Sequence, residues 1–182
     1  MRVLISGGCK QGKSTHAQYI ARAQQTKGGA LYYVATMRAG DAEDHARIAR
    51  HVQERAGWGF TTLEQPKNIL ACLARCDPTG SFLLDSTTAL LANEMFRPDG
   101  SFDAEAGGRV CEALCTLTQR LPKLVLVSDG IYHDAARFDP MTEAYRRALA
   151  AIDCALAKRC DQVLEVCAGQ VVVWKGREEM GV

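Results

Sequence analysis

Short apolar runs alternate with longer amphipathic stretches along almost the whole chain. Val3–Ser6, Ala30–Ala35, Phe82–Asp85, Leu124–Ser128 and Gln162–Cys167 read as strands, with Val171–Lys175 as a last one. Helical spacing is found over Ser14–Gln25, Asp41–Arg55, Lys67–Arg75, Thr87–Met95, Ala104–Arg120 and Thr142–Arg159. Strands that are apolar nearly throughout, separated by helices, imply a mostly parallel sheet covered by helices on both faces. The Ala168-Gly169 pair between the last two strands reads as a tight hairpin, so the final strand is expected to be antiparallel and at an edge. Arg97–Asp103, with Pro98 and Gly100, reads as an exposed loop. There is no internal repeat, low-complexity tract or interdomain linker, and residues 1–182 are expected to form one α/β domain. In such sheets ligands gather beyond the carboxyl ends of the strands, here after Ser6, Ala35, Asp85 and Ser128.

The first of those places carries Gly7-Gly8-Cys9-Lys10-Gln11-Gly12-Lys13-Ser14, which reads G-x-x-x-x-G-K-S. By average residue usage this pattern arises by chance in about one chain in a hundred of this length. Its position between a strand and a helix makes chance rarer still. A glycine-rich turn at a helix N-terminus directs backbone N–H groups at phosphate oxygens. Lys13 would reach the β- and γ-phosphates, and the Ser14 hydroxyl would ligate Mg²⁺. The sheet is therefore expected to be of the P-loop NTPase type, with a nucleoside triphosphate as ligand. Asp85, closing the apolar run Phe82-Leu83-Leu84, is the candidate second metal residue, since a carboxylate at that place holds Mg²⁺ through water. Its simpler alternative is a helix cap.

Composition narrows the partners. Hydrophobic residues make up 47% and charged residues 24%, with a formal net charge of +1, which argues against a nucleic-acid or acidic-lipid footprint. No apolar run is long enough to span a bilayer, and the N-terminus enters a strand at once, so a cytoplasmic location without membrane insertion is expected. The eight cysteines include Cys72/Cys76 and Cys111/Cys115, four apart on predicted helices, and no C-x-x-C pair. They are expected to be reduced thiols packing as small apolar residues. Cys9 stands apart because it lies within the glycine loop.

One helix carries unusual chemistry. Asp41 would cap it, Glu43 and Asp44 suit its first turn, and Arg47, His51 and Arg55 fall at i, i+4 and i+8 on one face. Ile48 and Val52 form a neighbouring apolar stripe. Two guanidinium groups flanking an imidazole attract phosphate and favour the neutral, nucleophilic ring. His51 so held would attack the α-phosphorus of a triphosphate and expel pyrophosphate. The alternative is a solvated face with an incidental histidine. His16, His45 and His133 have no comparable setting.

Together these residues resemble the bifunctional adenosylcobinamide kinase/adenosylcobinamide-phosphate guanylyltransferase family of cobalamin biosynthesis. Ile5-Ser6-Gly7-Gly8 through Ala17 resembles its strand and P-loop, Tyr33-Val34-Ala35-Thr36 its second strand, and Arg47-Ile48-Ala49-Arg50-His51, with Arg55 and Trp58, its histidine segment. Leu84-Asp85-Ser86-Thr87-Thr88 through Asn93 is similar to its L-L-D-C-L-T…N element. The resemblance implies that His51 becomes guanylylated and acts in catalysis with Lys13, and that Ser14 and Asp85 hold Mg²⁺. It implies nucleotide contacts from Gly7, Gly8, Cys9, Lys10, Gln11, Gly12, Lys13, Ser14 and Thr15. Further contacts would come from Ala35, Thr36, Met37, Val52, Gln53, Glu54, Arg55, Glu64 and Asp85. GTP and ATP would be substrates, with a corrinoid as acceptor and a homotrimer as the assembly, in which helices of neighbouring subunits shape the sites.

The chain departs from the family after its fifth strand. The family carries N-E-x-G-x-G-I-V-P there, and this chain has Ser128-Asp129-Gly130-Ile131-Tyr132-His133-Asp134, with Pro140 several residues late. Asp129 is the candidate replacement for the missing carboxylate. That departure leaves two alternatives open: a P-loop kinase of another small alcohol, and a non-catalytic GTP-binding sensor.

Overall fold

The computed structural model describes residues 1–40, 46, 49, 52, 53, 55–133 and 135–176. Seven strands form one sheet: β1 (Arg2–Gly7), β2 (Leu31–Ala35), β3 (Thr61–Glu64), β4 (Ser81–Asp85), β5 (Leu124–Val127), β6 (Gln162–Cys167) and β7 (Gln170–Lys175). Their order is β3-β2-β4-β5-β1-β6-β7. All pairings are parallel except β6 with β7, which is antiparallel and puts β7 at the edge. Both features follow the expectation from the hydrophobic pattern.

The central strands are apolar nearly throughout because both of their faces are covered. Leu4, Leu84 and Leu126 point to one side, where α2 (Thr87–Met95), α3 (Ala106–Arg120) and α4 (Pro140–Arg159) pack with Leu91, Leu114, Leu117, Leu149 and Ile152. Val3, Ile5, Leu83, Val125 and Val127 point to the other, against Ala17, Ile20 and Ala21 of α1 (Lys13–Ala23). Alternating side chains thus serve two separate cores. No helix among the described residues is long and apolar enough to cross a membrane.

Three elements differ from the sequence reading. β3 is a strand that the pattern does not reveal: of Thr61–Glu64 only Leu63 is buried, and the segment is held by pairing with β2 rather than by an apolar run. Lys67–Arg75, expected as an α-helix, is a 3₁₀ segment over Ile69–Arg75. Pro66 lies just upstream, Asn68 has a left-handed φ of 47°, and its amide donates to Glu94 Oε1 at 2.7 Å, so the chain enters the turn bent. The expected helix Asp41–Arg55 lies largely outside the described residues; Ala46, Ala49, Val52 and Gln53 within it are helical and exposed. α4 starts at Pro140, earlier than expected, because Asp139 caps it by accepting from the amides of Met141 and Thr142.

The inner face of α4 fixes the segment that follows β5. Arg146, 7% exposed, donates through Nε to the Ile131 carbonyl at 3.2 Å and through Nη1 to the Ala136 carbonyl at 3.3 Å. It also donates to Glu143 Oε1 at 2.7 Å, and its guanidinium lies 4.7 Å from the Phe138 ring centroid. Two turns further, Asp153 Oδ2 accepts from Ser128 Oγ at 2.7 Å and from Tyr132 Oη at 2.9 Å. Asp153 is 5% exposed, and its Oδ1 has no hydrogen-bond partner among the described residues. Burial drives its carboxyl up to about 6, against the opposing pull of the Ser128 and Tyr132 hydroxyls.

Replacing Leu84, fully buried in the sheet, by alanine is expected to cost about 3 kcal/mol in urea denaturation, whereas Val172→Ala on exposed β7 should stay within about 0.5 kcal/mol. Asp153 yields a prediction in pH. Between its unfolded pKa near 3.9 and its native value of about 6, the folded chain keeps a proton that the unfolded chain has lost. Its contribution to stability is therefore present at low pH and lost as pH rises through that window. Relative to Asp153→Asn, the wild type should lose up to about 3 kcal/mol between pH of about 4 and about 7. A constant difference across that range would show that Asp153 titrates as an ordinary carboxylate.

Candidate active site

The glycine loop begins where β1 meets β6. Gly7 has φ of 145°, and a Cβ there would lie 2.3 Å from the Val166 carbonyl oxygen, so neither the conformation nor the space admits a side chain. Gly12, at φ 94°, starts α1 in the left-handed region without a side-chain cap, and no acid occupies the helix's first turn. The amides at the N-terminus of α1 thus keep their donors for an anion, and the helix dipole adds positive potential there. Gly8 and Ser14 are half-buried, while Cys9, Lys10, Gly12 and Thr15 are exposed at the rim. Gln11 closes beside Gly8, where an added Cβ would meet Gln11 Nε2 at 2.8 Å.

Lys13 is 6% exposed, and its ammonium has two acceptors within the protein. Nζ donates to the Gly8 carbonyl at 2.6 Å and pairs with Asp129 Oδ1 at 2.7 Å. Asp129 is itself steadied, since its amide donates to Thr88 Oγ1 at 2.8 Å, and the neighbouring Gly130 amide donates to the Gly7 carbonyl at 3.1 Å. The segment after β5, where the sequence departs from the family it resembles, therefore brings a carboxylate directly onto the P-loop lysine.

The parallel register aligns the other candidates. Ala35 is level with both Glu64 and Asp85, so the ends of β3, β2 and β4 form one row, with β5 between that row and β1. Asp85 Oδ2 accepts from Tyr33 Oη at 2.8 Å. Thr36 is fully buried; its hydroxyl donates to the Ser86 carbonyl and accepts from the Ser86 amide, both at 2.7 Å. Its side chain thus clasps β2 to β4, and its amide adds a third link by donating to the Asp85 carbonyl at 3.2 Å. Asn93 Nδ2 donates to the Thr36 and Pro66 carbonyls at 2.8 and 3.1 Å, tying the turns after β2 and β3 together. Met37 is half-buried and Glu64 exposed.

Ser14 and Asp85 offer a hydroxyl and a carboxylate, and among the described residues no cluster of three or more His, Cys, Asp or Glu gathers as a metal cage. Few, hard oxygen donors beside a phosphate cradle suit Mg²⁺, which completes its shell with phosphate oxygens and water.

The histidine segment is only partly in view. Arg47, His51 and Glu54 lie outside the described residues, whereas Val52 and Gln53 are exposed. Arg55 is expected on the same face as His51, but it lies in the turn that follows and is 8% exposed. Its guanidinium carbon sits 4.0 Å from the Tyr33 ring centroid, and Nη2 donates to Thr62 Oγ1 at 3.3 Å. A desolvated guanidinium gains more over an aromatic face than in open solvent, which accounts for the inward turn. Trp58 staples the same turn to α1: its ring meets Tyr19 edge-on at 4.8 Å, and Arg22 donates to its carbonyl at 3.1 Å. The support from Tyr33, Arg146 and Asp153 is absent from the sequence reading. Its one visible signal is a hydroxyl or charge set within otherwise apolar or helical stretches.

The comparisons agree with this geometry. Residues 3–173 match the model of the family described as cobinamide kinase / cobinamide phosphate guanyltransferase. A Pseudomonas aeruginosa protein named bifunctional adenosylcobalamin biosynthesis protein CobP is 34% identical over 180 residues, covering 97% of this chain and 98% of its own length. A Salmonella typhimurium relative named bifunctional adenosylcobalamin biosynthesis protein CobU is 28% identical, over 93% of this chain and 97% of its own. Among solved structures the chain resembles the ATPase domain of G40P, with a TM-score of 0.51 at 11% identity over 97% of this chain and 77% of that one. It also resembles the protein PH0250 from Pyrococcus horikoshii OT3, with a TM-score of 0.54 at 8% identity over 98% and 87% of the two chains. These last two share a P-loop NTPase-type fold with it. On the family match and the near full-length relatives together, this chain belongs to the cobinamide kinase / cobinamide phosphate guanyltransferase family.

Proposed function

We propose that the protein phosphorylates adenosylcobinamide at the P-loop and then transfers GMP from GTP to the new phosphate through His51. The observation that carries the first half is the Lys13–Asp129 pair at 2.7 Å beside an uncapped helix N-terminus. Triphosphate oxygens would take over from Gly8 and Asp129 as acceptors for Lys13, while loop amides bind the bridging oxygens. Asp129, released from the ammonium, would then accept the proton of the acceptor hydroxyl as its oxygen attacks the γ-phosphorus and the bond to the leaving diphosphate breaks. Mg²⁺ held through Ser14 and Asp85 would offset the charge on the phosphates. In the second half, a His51 ring nitrogen would attack the α-phosphorus of GTP, releasing pyrophosphate and leaving a P–N bond. An oxygen of the corrinoid phosphate would break that bond in turn, freeing the histidine. Family membership supports both halves, and the trimeric assembly is part of the same reading.

Incubation with GTP labelled at the α-phosphate tests the histidine. The wild type is expected to carry an acid-labile, base-stable label, and His51→Ala to carry none while still transferring the γ-phosphoryl group. Absence of label on wild type that binds GTP would sink the guanylyl step and leave a kinase. Asp129→Asn is expected to slow γ-phosphoryl transfer about 100-fold and to leave the label intact. Equal rates in wild type and Asp129→Asn would remove the carboxylate from the kinase step.

A further inference from the structure

Asp85 and Arg55 are thirty residues apart in sequence, yet the same side chain touches both. Tyr33 lies on β2, 4% exposed, with Phe60 edge-on to its ring at 6.0 Å. One ring face seats the Arg55 guanidinium at 4.0 Å, and the hydroxyl donates to Asp85 Oδ2 at 2.8 Å. A phenylalanine would fill the same space in the core. Only the hydroxyl reaches beyond the core, to the carboxylate at the end of β4, because Tyr33 stands opposite Leu83, two residues short of Asp85. A carboxylate's terminal torsion is broad, so a donor fixed to one oxygen sets the plane of the group and the direction of the other oxygen. Partners of this kind commonly govern how well a carboxylate serves a cation.

We propose that Tyr33 is a positioning residue for both half-reactions: its hydroxyl orients Asp85 toward the nucleotide-bound cation, and its ring seats Arg55, four residues beyond His51 in the sequence. The proposal rests on the reading that Asp85 serves the cation and His51 the guanylyl transfer. Because the two links use different parts of one side chain, they separate by mutation. Tyr33→Phe removes the hydroxyl and keeps the ring. Tyr33→Leu removes both.

Three measurements are made on the full chain: Mn²⁺ affinity of the complex with a non-hydrolysable triphosphate, by electron paramagnetic resonance; nucleotide affinity in excess chelator; and the rate and yield of histidine labelling from α-labelled GTP. Melting temperature monitors folding. Tyr33→Phe is expected to bind Mn²⁺ about 10-fold more weakly, with nucleotide affinity in chelator unchanged and full labelling at saturating cation. Tyr33→Leu should show the same loss for Mn²⁺ and, at saturating cation, a labelling rate lower by about 10-fold. Wild-type Mn²⁺ affinity in Tyr33→Phe, whatever its melting temperature, would reduce the hydroxyl to core filling and overturn the proposal. Equal labelling rates in folded Tyr33→Phe and Tyr33→Leu would overturn its second half. If Tyr33→Leu does not fold, Tyr33→Phe decides the proposal through the hydroxyl alone. A wild type that neither binds Mn²⁺ with the triphosphate nor takes label marks failure of the underlying reading instead, since the variants are compared only with a competent parent.

Discussion

A buried ammonium has to be met by acceptors, and the way Lys13 is met organises this molecule. Leaving such a charge without partners costs on the order of several kcal/mol, so the segment after β5 cannot wander from the glycine loop. Asp129 and the Gly8 carbonyl both accept from Lys13. The Gly130 amide then returns a hydrogen bond to Gly7. The phosphate loop is thereby held in a closed circuit of its own residues, in a shape that offers its amides to an anion before any arrives. A triphosphate that displaces Asp129 meets a site already organised, with little ordering left to do.

The rest of the fold supports that circuit from behind. Arg146 and Asp153, two turns apart on α4, hold the segment from Ser128 to Phe138 by its carbonyls and by its two hydroxyl-bearing side chains. On the other flank the Thr36–Ser86 clasp and the double bond of Asn93 fix the row of strand ends. These contacts lie beneath the site rather than in it. They keep the strand ends level, which is what lets residues from four distant stretches of sequence converge.

Some of this was legible in the residues alone and some was not, for physical reasons. β1, β4 and β5 announce themselves because burial on two faces makes their central positions apolar without a break. β3 does not, since an edge strand with one buried side chain carries no such run. The 3₁₀ turn at Ile69 follows from Asn68 and its bond to Glu94, a contact that no helical periodicity encodes. The glycine loop was legible to the residue, because its spacing is set by backbone geometry that few other sequences satisfy. Asp129 was visible only as a carboxylate near a displaced motif, and its partner became known through the distance to Lys13. Arg55 shows the opposite case: helical spacing makes it the end of the helix that carries His51, whereas it lies in the turn that follows, with its guanidinium seated on the Tyr33 ring.

The clasp between Thr36 and Ser86 also bears on how this sequence can drift. Both of its hydrogen bonds end on the main chain of residue 86, so they make no demand on that residue's side chain. The demand at position 36 is strict, for a group that donates and accepts at once in a space closed to water is a hydroxyl. Serine and threonine alone meet it at that length. Position 86 is bound by a different and looser requirement, that of capping α2, which its Oγ meets by accepting from the Ala89 amide at 3.2 Å. Two adjoining residues in space thus face unequal tolerance to substitution. The more restricted is the one with no direct view of the site.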